Sequence, residues 1–201
     1  MVIISGFMII RKKVMSSFQN NFYPFTSFIE KNQCSIITIT LGLFDRFSLD
    51  RQDILFSKVV AHHEKTCRCG NMGQCVTFYR RCFLQQKVYH SLRYRRRKRA
   101  INYFIQFQQS DQSFFGSIML FYTQQQHNLA LIKHYERKCS YSDYFKHSEY
   151  YSLIKKPIDL YFFVLMESKE HRVIRTETIT NHLIVLKNSR DFSTIIATPV
   201  T

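Results

Sequence analysis

From residue 75 onward the chain breaks into short runs rich in Val, Ile, Phe and Tyr, and this succession constrains the fold more than any other feature. The runs span 76–82, 87–94, 101–108, 114–122, 129–135, 160–166, 182–186 and 193–197. β-branched and aromatic side chains suit the pleated surface of a sheet, and polar connectors as short as 108–112 and 124–128 suit antiparallel hairpins. In one run Tyr103, Ile105 and Phe107 alternate with Asn102, Phe104, Gln106 and Gln108, so one face is expected to be buried and the other wet. Strands at this spacing predict a mainly β fold, a small antiparallel barrel or sandwich. Residues 141–155 lack the alternation and stop before Pro157, which predicts a long insertion with one helical turn.

The same texture suggests a boundary. Residues 75–201 are expected to form the β-rich domain, and 1–74 a weakly structured extension or the tail of a preceding domain. Within the extension, Phe18, Phe22, Phe25 and Phe28 have helical spacing interrupted by Pro24, and 35–40 reads as one strand. The apolar start, residues 1–10, falls short of the ~20 residues a spanning helix needs. Its charge follows the apolar run at Arg11, Lys12 and Lys13, the reverse of a secretory signal. Neither signal nor anchor is predicted, and the chain is expected in the nucleus or cytoplasm, with no membrane partner. Its six cysteines are accordingly read as reduced thiols.

Twenty-nine Lys and Arg oppose fourteen Asp and Glu, a net charge of +15. A charge of that size attracts polyanions, nucleic acid first among them. It peaks at Arg93, Tyr94, Arg95, Arg96, Arg97, Lys98 and Arg99, six cations in seven residues, reinforced by Arg80, Arg81 and Lys87. Guanidinium forks match phosphate oxygens, and Tyr94 offers a stacking surface. These ten residues are the candidate nucleic-acid site. A nuclear localisation patch and an unpartnered solvated loop are the competing readings of the same run.

His62, His63, Cys67, Cys69 and Cys75 form the densest group of possible metal ligands. Tetrahedral zinc takes four Cys or His, usually as two short pairs held apart by a loop. Here Cys67 and Cys69 are only one residue apart and no second pair follows, so the match to a structural zinc site is loose. Free thiols and loop histidines are the plainer reading. No nucleophile elbow, phosphate-binding glycine loop or paired-carboxylate pattern surrounds the Ser, His and Asp residues present. Asp45, Asp50 and Asp53 cluster without a partner Glu. No catalytic residue is assigned, and a non-enzymatic role is expected.

Residues 115–122 place a Gly at the start of an aliphatic–aromatic strand; a polar turn follows, and 128–135 then end in an aromatic. Together with 82–91 and 195–200, this pattern resembles the C-terminal β-rich region of transposon-encoded, transposase domain-containing proteins, over roughly residues 60–201. The strand grammar also looks like that of small chromatin-reader barrels of the BAH type. What the first resemblance implies is an accessory domain of a mobile-element protein rather than its nuclease, with the end at Thr201 expected of a truncated or decayed copy. The second implies a protein- or peptide-interaction barrel with no nucleic-acid role. The aromatic excess at Tyr141, Tyr144, Phe145, Tyr150 and Tyr151 favours that alternative.

Overall fold

A computed structural model of the chain describes residues 42–94, 103–187 and 194–200. The expected elements at 1–10, 18–28 and 35–40 lie outside these residues, as do Arg95, Arg96, Arg97, Lys98 and Arg99. Contacts divide the chain at residue 40, and Leu41–Thr201 is one compact unit. The β-rich unit therefore begins well before residue 75, because a strand and a helix from the expected extension belong to it.

The fold is mainly β. Its strands are β1 (Gly42–Phe47), β2 (Val76–Leu84), β3 (Lys87–His90), β4 (Phe104–Gln109), β5 (Gln112–Gln124), β6 (His127–Ser140), β7 (Phe163–Arg175), β8 (Ile179–Lys187) and β9 (Thr194–Pro199). Among the described residues three α-helices accompany them: α1 (Ile54–Thr66), the single-turn α2 (Met72–Cys75) and α3 (Tyr151–Tyr161). Among the described residues no helix is long and apolar enough to cross a membrane.

Among the described residues all strand pairings are antiparallel, and six strands close on themselves in the order β4, β5, β6, β7, β9, β8 and back to β4. β5 makes the rest possible. One of its edges pairs with β6 along most of its length, while the other is divided between β4 at residues 112–117 and β2 at 121–124. β2 then carries β1 on one edge and β3 on the other. Register shifts in β5 between Ile118 and Leu120, and in β6 between Lys133 and Tyr135, supply the local bending that ring closure requires. Gly116 marks the closest approach: a Cβ there would stand 2.9 Å from the Lys133 carbonyl oxygen.

Burial follows the topology. Phe104, Phe115, Tyr135, Leu165, Leu183 and Ala197, one from each ring strand, belong to a single cluster that fills the ring. A second cluster lies under α1. Leu55 and Val59, four residues apart, reach Phe78, Leu120, Tyr122 and Leu131, and each fully buried aliphatic side chain contributes about 1.5–3 kcal/mol. A third forms around Tyr89, Ile105, Phe107, Phe121 and Ile132.

Several expected boundaries change. β3 ends at His90 rather than Tyr94, because Leu92 N–H turns away to the Ile118 carbonyl at 2.8 Å. The insertion between β6 and β7 holds a 3-10 turn, Tyr141–Phe145, and then α3, which runs through Pro157. Leu160 is therefore helical, and β7 starts at Phe163. Proline withholds one helical donor but does not stop so short a helix.

Three hairpins turn on two residues with positive φ: Gln85-Gln86, Ser110-Asp111 and Gln125-Gln126. That geometry matches strand twist and ordinarily selects Asn-Gly, since a side chain in the left-handed region costs about 1–2 kcal/mol. None of the three contains glycine. Replacing Gln85-Gln86 by Asn-Gly is expected to raise Tm by about 3–6 °C in a thermal melt.

His182 is buried, its ring 3.8 Å from that of Tyr89 in an edge-on contact. Burial, aided by Lys87 and His90, pushes its pKa down from 6.5 to about 4. The unfolded chain therefore takes up this proton first, so the stability His182 confers is complete above pH 6.5 and is lost as pH falls towards 4. The loss is about 3 kcal/mol. Urea unfolding across that range is expected to show His182→Leu less acid-sensitive than the natural chain by a comparable amount.

Candidate functional site

The metal-ligand cluster is built by α1 and the loop after it. Asp53 caps the helix by accepting from Leu55 N–H at 2.9 Å. Leu55, Val59 and His63 recur every fourth residue, so the face that buries the two aliphatics also carries His63 inward. The helix ends where Cys67 N–H donates to the His63 carbonyl at 2.7 Å. Gly70, at φ +69°, then reverses the chain, with no atom within 4 Å of where its Cβ would stand. Asn71 caps α2 through Gly73 N–H, and α2 delivers Cys75 directly into β2.

The outcome is a group of four ligand atoms, from His63, Cys67, Cys69 and Cys75, all within 4.8 Å of one another. His63 Nε2 lies 3.2 Å from Cys69 Sγ, and Cys67 Sγ lies 3.6 Å from Cys75 Sγ. Zinc–ligand bonds of about 2.3 Å to sulfur and 2.0 Å to nitrogen correspond to tetrahedron edges of about 3.5–3.8 Å. The residues present thus fit a tetrahedral cation, and the cluster could hold a metal. His62, named with them from the sequence, is not part of the group. One residue along the helix it faces another way, and its Nδ1 sits 3.0 Å from the Tyr122 hydroxyl.

The thiols are not equivalent. Burial pushes Cys75 up to about 11, and its contacts with Cys67 and Cys69 act in the same direction. Burial also raises Cys67, but hydrogen bonds from the Cys69 backbone and from Cys69, Cys75 and Gln125 outweigh it and lower the pKa. Gln125 reaches Cys67 Sγ at 3.0 Å from the β5–β6 turn, so the barrel itself supports the cluster.

Five of the ten candidate nucleic-acid residues are described, and they do not form a uniform cationic strip. Arg80 Nη1 and Arg81 Nε reach the two carboxylate oxygens of Asp45 at 3.3 and 3.2 Å. Asp45 has φ 67°, a strained backbone that places it between both arginines. Arg81 also lies 4.4 Å from the Phe44 ring and 4.9 Å from that of Tyr94, which stacks on His90. Arg93 is ion-paired with Asp53. These are half-exposed pairs worth about 1 kcal/mol or less each, and their effect is to order the start of the basic connection. Lys87 opens β3, near His182. Two of the three clustered aspartates, Asp45 and Asp53, are thereby occupied with arginines.

A cavity of about 670 Å³ lies at one end of the ring, where no sequence motif marks it. Phe115 and Tyr135 from the ring interior line it, with Gln106, His134, Arg137 and the Asp159–Leu160 turn of α3. Gln106 is cross-strand from Phe115, and Phe115 from Tyr135, so the cavity continues the ring's inner face outward. His134 is 5% exposed. Burial, then the neighbouring Arg172, lowers its pKa, leaving a neutral ring 3.5 Å from Glu170. Alternation could have placed Gln106 on this face, but nothing local in the sequence brings it together with α3.

Comparison with known proteins gives no family assignment: no family model, curated protein or solved structure matches the chain.

Proposed function

We propose that this chain is a zinc-stapled β-barrel module that binds nucleic acid electrostatically and catalyses no reaction. The observation that carries the reading is the Arg93–Arg99 run of the sequence, whose two described flanks are anchored to the sheet. Its leading stem is tied down by Ser91 N–H to the Arg80 carbonyl at 2.9 Å and Tyr94 N–H to the Ser91 carbonyl at 3.0 Å. Its trailing stem is held by Ile118 N–H to the Tyr103 carbonyl at 2.8 Å. Between these two anchored flanks the sequence places six cations in seven residues, on a chain of net charge +15. The resemblance of the strand pattern to transposon-encoded C-terminal regions suggests an accessory role in a mobile-element protein.

Binding is expected to weaken steeply with salt as counterions return to the phosphates. In anisotropy titrations of labelled DNA, replacing Arg95, Arg96, Arg97 and Arg99 with Ala should flatten the log–log salt slope by about three to four. An affinity unchanged by the replacement would overturn the reading.

His63, Cys67, Cys69 and Cys75 would hold the zinc, whose contribution is to fasten α1 and α2 to β2. One chain should carry about one zinc by elemental mass spectrometry. Cys67→Ser or chelation should remove it, lower Tm by about 10 °C and expose residues 54–75 to amide exchange, while Cys139→Ser retains the metal. Loss of metal with Tm and exchange unchanged would exclude a structural role.

A peptide-interaction surface is the second reading. Its specific support is the exposure of Tyr144, Tyr150, Leu153 and Leu160, between 58% and 74%, on the insertion. Absence of any DNA binding at low salt would favour it over the first.

A further inference from the structure

We propose that Cys67 and Cys75 are a redox-modification site: a hydroperoxide joins them as a disulfide, and the corner at residues 63–75 then gives up its metal. This rests on the zinc reading above and adds to it how the site is regulated and by which class of small molecule.

The four ligand side chains are not arranged alike. The sulfurs of Cys67 and Cys75 face each other at 3.6 Å, whereas Cys69 Sγ meets His63 Nε2 at 3.2 Å and the Asn71 carbonyl at 3.6 Å. A disulfide holds its sulfurs about 2.05 Å apart, so the facing pair must close by about 1.5 Å. Cys67 is held from the barrel side, where Gln125 Nε2 donates to its sulfur at 3.0 Å. The movement therefore belongs to Cys75, and the chain that carries it is built to yield. Cys75 ends α2, one turn of four residues that could not stay helical alone. Gly70 and Gly73 both lie between the two cysteines, and nothing stands within 4 Å of where a Gly70 Cβ would be.

Exposure gives the oxidant a way in. Cys75 is partly exposed, while Cys67 lies behind it, 7% exposed. Hydrogen peroxide, little larger than water, reaches the outer sulfur. The Cys75 thiolate attacks one peroxide oxygen and the O–O bond breaks, giving a sulfenic acid and hydroxide. The Cys67 thiolate then attacks the Cys75 sulfur, forming the S–S bond and breaking S–O, with a second hydroxide leaving. In sum two thiols lose two electrons and two protons, and one peroxide becomes two waters. Oxidation that starts at the exposed Cys69 reaches the same end, since Cys67 captures its sulfenic acid and Cys75 displaces Cys69 by exchange.

A disulfide offers no thiolate, so one reaction withdraws two of the four ligands. The end of α1 and the end of α2 stay tied, now by a covalent bond, and His63 and Cys69 are left as a pair that cannot hold the ion. Cys82, 1% exposed in the core, and Cys139 on β6 stand outside the ligand group and serve as internal controls.

The test uses the intact chain, its zinc content measured first. It is treated with hydrogen peroxide beside a chromogenic zinc chelator, free thiols are alkylated, and peptides are mapped without reduction. Trypsin cuts after Arg68 and so separates Cys67 from the peptide carrying Cys69 and Cys75, which fragment ions distinguish. One Cys67–Cys75 bond should form for each zinc released, about one per chain, with Cys82 and Cys139 still alkylated. A dithiol reductant with added zinc should restore the metal in full, and Cys139→Ser should behave as the natural chain does. Metal that stays bound overturns the redox proposal and leaves the zinc reading standing. So does metal that leaves with no bridge, or with one made through Cys69, Cys82 or Cys139. A chain that binds no zinc before peroxide is added overturns the two together.

Discussion

The structure depends on β5 being paired on both edges by three strands. Thirteen residues, Gln112–Gln124, serve β6 on one side and β4 then β2 on the other. Such a strand has no free edge over most of its length, and its faces are covered too. Ile118 and Phe121 belong to one cluster, Leu120 and Tyr122 to another, and Phe115 to the ring interior. A strand this central cannot alternate cleanly between apolar and polar residues, and it reads instead as a nearly continuous apolar run.

That explains why the middle of the fold was legible in the sequence and its margins were not. Residues 114–122 and 129–135 stand out because they are buried from both sides. The extensions of the same strands, Gln112–Ser113 and Glu136–Ser140, are largely exposed and carry no apolar signal. β1 was missed because Asp45, in the left-handed region, interrupts a strand only six residues long. α1 was missed because the third member of its buried face, after Leu55 and Val59, is a histidine. Local pattern finds elements whose burial is simple, and loses those whose burial is shared with a site.

The two candidate sites show the same division. The ligand residues were visible as a group, but their fitness lay in geometry that spacing does not encode. A helix end, a glycine reversal and one further helical turn make a close foursome from an irregular series. The basic residues show the opposite case. Arg80, Arg81 and Arg93 looked like free cations because their carboxylates lie 35, 36 and 40 residues away. Only the fold brings Asp45 and Asp53 to them. Two aspartates thus offset two of these three arginines at the root of the connection, and most of the net charge of +15 is carried elsewhere.

The span of the ligand group has a consequence for the order of assembly. His63 to Cys75 occupies one short stretch, whereas ring closure between β4 and β8 joins residues such as Ile105 and His182. Loop-closure entropy and synthesis order both favour the first. During translation the cluster can gather while β4 to β9 are still unmade, and closing the ring must wait for nearly the last strands to emerge. The N-terminal corner would then stand as a formed platform onto which the later hairpins fold, one after another.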